Sequence, residues 1–186
     1  VQGTVRPDLF IPKAERSGLI LPITHQLMIH TAKEIRLWKD KLPKPFHVGV
    51  NISPQHCSKG TLVSACQEFI DIVDSKDVTL VLELTEREAL NYCDLTDEIF
   101  TQIKDMGCKI AIDDFGTGHS SLVNLRKVDL DYLKIDQTFV RDIGVDTITG
   151  HLLQNMITLP HDLSLDVVAE GVETEFQAEY LKERGV

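Results

Sequence analysis

Residues 109–118 read KIAIDDFGTG, a short apolar segment that ends in two adjacent aspartates and a glycine-rich stretch. Its first half has the length and composition of a strand that is buried on both faces. Four similar segments occur elsewhere in the chain, at His47–Asn51, Leu80–Thr85, Tyr132–Asp136 and Asp166–Glu170. Helical patterns separate them, so the sequence predicts βα units around a mostly parallel sheet, an α/β fold.

Apolar residues at helical spacing predict the helices between these strands. The pattern covers roughly residues 21–40, 62–73, 95–106 and 148–159. Pro7 opens a shorter helix that ends before Gly18, since proline favours helix starts and glycine favours helix ends. No linker, repeat or low-complexity stretch interrupts the pattern, so we predict one domain over residues 1–186.

The composition restricts the class of partner. The 186 residues include 19 basic and 29 acidic side chains, a net charge of −10. This charge argues against long nucleic acid, whose phosphates require a basic face. No apolar run approaches the ~18 residues of a membrane span, so we expect no membrane contact by this chain. The scattered cysteines indicate reduced thiols in a cytoplasmic domain rather than disulfides or a zinc site: Cys57, Cys66, Cys93 and Cys108.

Each predicted strand ends in a polar or ionisable residue. In a parallel βα barrel the carboxyl ends of all strands meet at one rim, where active sites are built. The sequence therefore directs an amide, several carboxylates and one ammonium to a common region: Asn51, Glu83, Asp113, Asp114, Lys134, Asp136 and Glu170. Contact with solvent alone could explain one such strand end, but it explains five of them poorly.

The residue types at these strand ends indicate a hard divalent metal. Clustered carboxylates repel one another, and Mg²⁺ or Mn²⁺ relieves that repulsion through the oxygen ligands that it prefers. Adjacent aspartates such as Asp113 and Asp114 can bridge two metals, as they do in two-metal phosphodiester hydrolases. Lys134 either serves the reaction or forms an ion pair with a carboxylate. Gly116 and Gly118 predict a loop beside the metals, with a plain tight turn as the alternative.

Six segments of the chain resemble the EAL family in order and spacing: PDLFIPKAERSGLI, VNISPQ, LELTE, IAIDDFGTGHSSL, LKIDQTFV and VVAEGVETEFQAEYL. The resemblance implies a modified (β/α)₈ TIM-like barrel, of which five of the eight strands are visible in this sequence. It further implies a cyclic-guanylate-specific phosphodiesterase that cleaves cyclic di-GMP to linear pGpG. The reaction of such enzymes uses a metal-activated water and Mg²⁺ or Mn²⁺, with two ions per site.

The resemblance also assigns metal ligands position by position. Asn51, Glu83 and Asp113 match ligands of the first metal, and Asp113 also bridges to the second. Asp114 matches a further ligand of the second metal, and Glu170 matches a carboxylate that reaches that metal partly through water.

Four other positions match supporting or catalytic residues of the family. Lys134 corresponds to the lysine that positions the attacking water, and Asp136 and Glu173 correspond to supporting carboxylates of the rim. Glu86 matches the glutamate that anchors the DFGTG loop. In the family this loop also couples the metal site to a partner subunit, so the resemblance implies a homodimer through the loop region.

The chain departs from the family pattern in three places. The Glu-Ala-Leu segment and the closing QGY-like strand are absent, and His119 stands where a tyrosine is usual. We therefore expect a partial EAL domain, truncated at both ends, with low activity when isolated. The longer protein can include sensory segments or an anchor in the inner membrane, as family members often do.

Two alternatives to hydrolysis of cyclic di-GMP stay open at this point. One is an inactive module of the same family that binds cyclic di-GMP or another protein. The other is a metal-dependent barrel that acts on a different phosphate ester. Inactive relatives usually lose one aspartate of the pair, the lysine or the loop glutamate, and this sequence retains all of them.

Overall fold

The computed structural model of the protein describes residues 3–58, 60–85, 94–116, 129–145 and 147–186. The helices are α1 (Pro7–Ser17), α2 (Ile20–Trp38), α3 (Pro54–Ser58), α4 (Thr61–Val73), α5 (Asp94–Asp105), α6 (Gln137–Arg141), α7 (Thr147–Asp162) and α8 (Glu175–Lys182). The strands are β1 (Phe46–Asn51), β2 (Val78–Thr85), β3 (Lys109–Phe115), β4 (Tyr132–Ile135) and β5 (Asp166–Ala169).

The predicted α/β class is confirmed. The five strands belong to one sheet, ordered β1-β2-β3-β4-β5, so their order in space follows their order in the chain. β3 pairs with β4, and β4 with β5, in parallel. Among the described residues, helices lie between β1 and β2, between β2 and β3, and between β4 and β5, which is the arrangement of βα units that the alternating sequence pattern predicts.

The predicted strands agree with the observed ones to within a few residues. The largest difference at a carboxyl end is in β3, which continues through Phe115 rather than ending at Asp113. Three helices were not predicted, namely α3, α6 and α8, which contain 5, 5 and 8 residues. Helices this short contain too few turns to show a hydrophobic period.

The chain forms two compact units, of which one comprises Val1–Leu82 and Cys93–Cys108. Among its described residues, α2 packs against α4 and α4 against α5. The core between these helices includes the fully buried side chains of Met28, Leu62 and Phe69. Cys57, Cys66 and Cys108 are buried, and none of these three described cysteines is in a disulfide.

The other unit comprises Glu83–Tyr92 and Lys109–Val186. Its described part contains the parallel strands β3, β4 and β5, with α7 packed on β5 and on α6. Asp131 fixes the start of this sheet, because its carboxylate accepts hydrogen bonds from Lys109 Nζ at 2.6 Å and from the Ile110 amide at 3.0 Å. The strands therefore share a fixed register, and their carboxyl ends lie side by side.

Among the described residues, no helix is both long enough and apolar enough to span a bilayer.

Candidate active site

Lys134, the third residue of β4, is the centre of the candidate site. Its Nζ lies 3.0 Å from Glu83 Oε1, 3.0 Å from Asp113 Oδ1 and 2.7 Å from Glu170 Oε1. These carboxylates belong to β2, to β3 and to the residue that follows β5. The predicted convergence of the strand ends is therefore observed for these four residues, and the alternative of an ion pair for Lys134 is also observed.

The environment of Lys134 favours its charged form. Only 13% of its side chain is exposed, and the loss of hydration on burial lowers the pKa of the ammonium. Hydrogen bonds to Glu170, Glu83 and Asp113 outweigh that effect and hold the pKa well above its ordinary value. Lys134 is thus a permanent positive charge among the carboxylates.

A β-bulge places two carboxylates opposite Lys134. Ile112 pairs with Leu133 and Phe115 with Ile135, so β3 advances three residues while β4 advances two. Successive residues of a regular strand face opposite sides of the sheet. In the bulge, Asp113 and Asp114 share the ladder position opposite Lys134, as two residues do at a bulged strand.

The backbone of Asp114 has the left-handed conformation, with φ of 54°. Aspartate tolerates this region better than most side chains but still at some cost. The pKa of Asp114 is raised, first by partial loss of hydration and then by the negative charges of Asp113, Asp136 and Glu170. The negative charges around Asp114 therefore outweigh the positive charge of Lys134.

The donor set fits a divalent metal. One carboxylate oxygen each from Asp113, Asp114 and Glu170 lie within 4.8 Å of one another. Together with Glu83 these groups form four carboxylates around the single ammonium of Lys134, a formal excess of three negative charges. Oxygen donors with this excess charge suit Mg²⁺ or Mn²⁺. A phosphate ligand also requires such a cation, because the carboxylates alone would repel it.

Glu170 follows β5 and precedes Gly171, whose backbone passes close to Gln137. Its amide donates to the Ile135 carbonyl at 3.0 Å and continues the pairing of β4 with β5. The next residue, Gly171, has φ of 67°, and a Cβ there would lie 2.6 Å from Gln137 Cβ. Only glycine meets both requirements, so this turn fixes the direction in which the Glu170 side chain leaves the strand.

Asp136 and Glu173 both lie at helix starts. Asp136 is the N-cap of α6, and its Oδ1 accepts from the Thr138 amide at 2.9 Å and from the Thr138 hydroxyl. The hydrogen bond from the Thr138 hydroxyl lowers the pKa of Asp136. The Glu173 amide donates to Gln177 Oε1 at 2.8 Å, next to the capping box of α8, while Glu173 itself is exposed.

Two predicted site residues are not among those that this geometry describes together. Asn51 is the exposed last residue of β1 and belongs to the first unit, so its role as a ligand stays a prediction. Glu86 lies outside the described residues, as do Thr117, Gly118 and His119 of the DFGTG loop region.

The sequence did not identify the residues that pack against Gly116, directly after the bulge. Gly116 has φ of 96°, and a Cβ there would overlap the Met156 methyl group and lie 3.0 Å from Phe139 Cε2. Met156 was predicted only as part of the apolar face of a helix. The signal that the sequence does offer is Gly116 itself, because a glycine directly after a strand indicates a close approach of backbone to another group.

The whole chain, residues 1–186, matches the family model described as the EAL domain. The chain is 41% identical over 181 residues to the probable cyclic di-GMP phosphodiesterase PdeG of Escherichia coli, covering 97% of this chain and 36% of that protein. It is 38% identical over 184 residues to the cyclic di-GMP phosphodiesterase PdeL of Escherichia coli, covering 99% of this chain and 51% of that protein. The chain thus spans a third to a half of the length of these relatives.

Two solved structures show the same fold. The structure of the PaMucR phosphodiesterase in complex with c-di-GMP superposes with a TM-score of 0.84 at 34% identity, covering 99% of this chain and 74% of that chain. The manganese and cyclic di-GMP complex of Klebsiella pneumoniae BlrP1 superposes with a TM-score of 0.69 at 25% identity, covering 87% of this chain and 42% of that chain.

Proposed function

Because this chain belongs to the EAL domain family, we propose that it is a phosphodiesterase that hydrolyses cyclic di-GMP to linear pGpG with Mg²⁺ or Mn²⁺, two ions per site. The observation that supports this proposal most directly is the carboxylate cluster around Lys134 at the strand ends. The substrate is inferred from similar proteins whose names state this activity or this ligand.

Within this proposal, Asp113, Asp114 and Glu170 bind metal through the oxygens that already lie within 4.8 Å of one another. Glu83 and Asn51 are further ligands of the first metal, as the family pattern implies. A divalent cation held there supplies positive charge to the phosphodiester and activates a water for attack. The manganese-containing complex of a structural neighbour is consistent with this choice of metal.

Lys134 has two roles in the proposed reaction. In the metal-free protein its ammonium neutralises part of the charge of Glu83, Asp113 and Glu170. During the reaction the same Nζ donates hydrogen bonds that orient the water and stabilise the charge that develops on the phosphate. Asp136 and Glu173 support the rim at the starts of α6 and α8, and Glu86 anchors the DFGTG loop.

The decisive experiment measures product formation. Purified protein incubated with cyclic di-GMP and Mg²⁺ or Mn²⁺ should form linear pGpG, detected by chromatography, and excess chelator should abolish the product. Hydrolysis that persists in chelator would contradict the metal mechanism. Saturable binding of cyclic di-GMP without turnover would favour a receptor, and turnover of a different dinucleotide would favour another phosphate ester.

We also propose that the domain acts in the cytoplasm as a homodimer. Buried cysteines outside disulfides, such as Cys66 and Cys108, are typical of proteins in a reducing compartment. The dimer contact proposed from the family pattern involves the DFGTG loop region. Size-exclusion chromatography with light scattering measures the subunit number, and a monomer at every concentration would contradict the proposed dimer.

A further inference from the structure

The turn that ends β3 is held against two side chains from other elements. Gly116 has a left-handed φ of 96°, and the space that a Cβ would need is occupied by the Met156 methyl group of α7 and the Phe139 ring of α6. The two nearest ring atoms, Cε2 and Cζ, would lie 3.0 and 3.1 Å from that Cβ. The backbone at Gly116 therefore rests directly on an apolar pair.

Asp114 depends on the same turn. It lies two residues before Gly116 and has the left-handed φ of 54°, a conformation that costs an aspartate some free energy and that its surroundings must therefore stabilise. Between them Phe115 is 5% exposed and pairs with Ile135. The segment is thus fixed at Phe115 by the core and at Gly116 by Met156 and Phe139, and the position of the Asp114 carboxylate follows from both.

Met156 and Phe139 are not simply core residues of their helices. Leu153 and Ile157 of α7 are each 1% exposed and fill the core, as does the fully buried Val140 of α6. Met156 and Phe139 are only partly buried. Their packing is directed at the turn that ends β3.

We propose that Met156 and Phe139 are positioning residues that set the metal affinity of the Asp114 carboxylate by holding Gly116. The inference rests on the proposed metal site and deepens it, because it makes the position of α7 a determinant of how tightly that site binds its metal. A shift of α7 away from Gly116 releases the turn, and Asp114 then loses its alignment with Asp113 and Glu170.

The test is a titration of the protein with Mn²⁺ alone, without nucleotide, followed by electron paramagnetic resonance of the free ion. Met156→Ala removes the group that contacts Gly116 and should weaken Mn²⁺ binding by roughly tenfold, as losses of supporting groups around metal ligands do. Met156→Leu retains a similar volume and should restore binding to within about threefold of the unchanged protein. Leu152→Ala is the matched control, since Leu152 lies one turn earlier on α7 and is 48% exposed; its affinity should not change.

Turnover supplies a second readout. If Met156 acts only through metal affinity, Met156→Ala should show a higher Mn²⁺ requirement, while kcat at saturating Mn²⁺ returns to within about twofold of the unchanged protein, because the ligands themselves are retained. Phe139→Leu should shift the Mn²⁺ requirement in the same direction. This variant also decides the question if Met156→Ala does not fold.

The outcomes separate the inference from the proposed function. Unchanged Mn²⁺ affinity in Met156→Ala, or an equal loss in Leu152→Ala, overturns the inference alone. Failure of the unchanged protein to bind Mn²⁺ overturns the metal site and the inference together. A graded Mn²⁺ response in the Met156 variants without any turnover of cyclic di-GMP supports the inference and contradicts the proposed substrate.

Discussion

At the scale of single residues, the carboxylates of the site differ in what they contact. Asp113 lies 3.0 Å from Lys134 Nζ and belongs to the group of oxygens that fits a metal. Asp136 instead uses its carboxylate to cap α6. The two residues have the same chemistry and lie at the ends of neighbouring strands, so they form a natural pair for comparison.

We predict that Asp113→Asn reduces kcat by a factor on the order of 10³ or more, because a bridging ligand contacts both metals and its loss removes several kcal/mol of transition-state stabilisation. Asp136→Asn should cost much less, since asparagine also caps helices well. Steady-state kinetics with cyclic di-GMP at saturating Mn²⁺ measures both. Equal rates in the two variants would show that the bridging assignment is wrong.

The pKa values of Asp114 and Asp136 are shifted in opposite directions, so their contributions to the free energy of unfolding depend on pH with opposite sign. The raised pKa of Asp114 means that its contribution to the stability of the metal-free fold is present at low pH and is lost as the pH rises through the folded value. The lowered pKa of Asp136 means that its contribution is present above the unfolded value and is lost as the pH falls through the folded one.

In chelator at neutral pH, Asp114→Asn should therefore raise the free energy of unfolding and Asp136→Asn should lower it. Both differences should shrink as the pH is lowered into the range where carboxylates protonate. Urea unfolding at a series of pH values measures them. A destabilised Asp114→Asn protein at neutral pH would mean that the Asp114 carboxylate is well compensated without metal.

At the scale of elements, one buried side chain joins two helices at the rim. Gln177 of α8 is 8% exposed, and its Oε1 accepts from the amides of Glu173 at 2.8 Å and Thr174 at 3.0 Å. Its Nε2 donates to the Val140 carbonyl of α6 at 3.2 Å. The segment that follows Glu170 is thereby tied to α6, whose N-cap is Asp136.

Gln177→Leu retains the apolar volume but leaves these backbone groups without their partner. We expect a loss of about 2 kcal/mol or more in the free energy of unfolding, since each buried polar group left unsatisfied costs about 1–3 kcal/mol. Gln67→Leu is the control, because Gln67 is exposed on α4 and bonds only within its own helix in the contacts described, to Asp71. If the two variants lose equal stability, the tie between α8 and α6 contributes little.

The elements also show how far the sequence could predict this structure. The strands were predicted because continuous apolar runs of strand length, bounded by polar residues, are distinctive. The bulge was not, because IAIDDF is equally compatible with uninterrupted alternation, and its register depends on β4. The contact of Met156 with Gly116 was not predictable either, since it joins residues 40 positions apart through tertiary packing. Lys134 with its carboxylates was predicted because the strand order alone brings those residues together.

At the scale of the whole molecule, the net charge of −10 is relevant to metal uptake. A formal excess of three negative charges lies at the strand ends of the second unit, where four carboxylates surround one ammonium. In the proposed metal site, a divalent cation binds the folded protein there and finds no comparable group in the unfolded chain. Binding is therefore coupled to the stability of the fold.

Mn²⁺ should accordingly raise the melting temperature. At a free concentration 100 times the dissociation constant, the gain is about 2.7 kcal/mol, or roughly 5–10 °C for a chain of this size. Differential scanning calorimetry measures the shift, with K⁺ at the same ionic strength as the control for screening. The Asp113→Asn variant should lose most of the shift, and an undiminished shift there would locate the stabilising ion elsewhere.

The register of β3 has a consequence in genetic terms. Ile112 and Phe115 are three residues apart, yet they lie on the same side of the sheet because they pair with Leu133 and Ile135. The strand therefore contains one extra residue between them, and its second aspartate is in effect a one-codon insertion. Removing codon 114 would leave Phe115 opposite Ile135 but make the ladder uninterrupted, with one carboxylate opposite Lys134. A strand that supplies one carboxylate and a strand that supplies two thus differ by a single codon, and the hydrophobic face is the same in both.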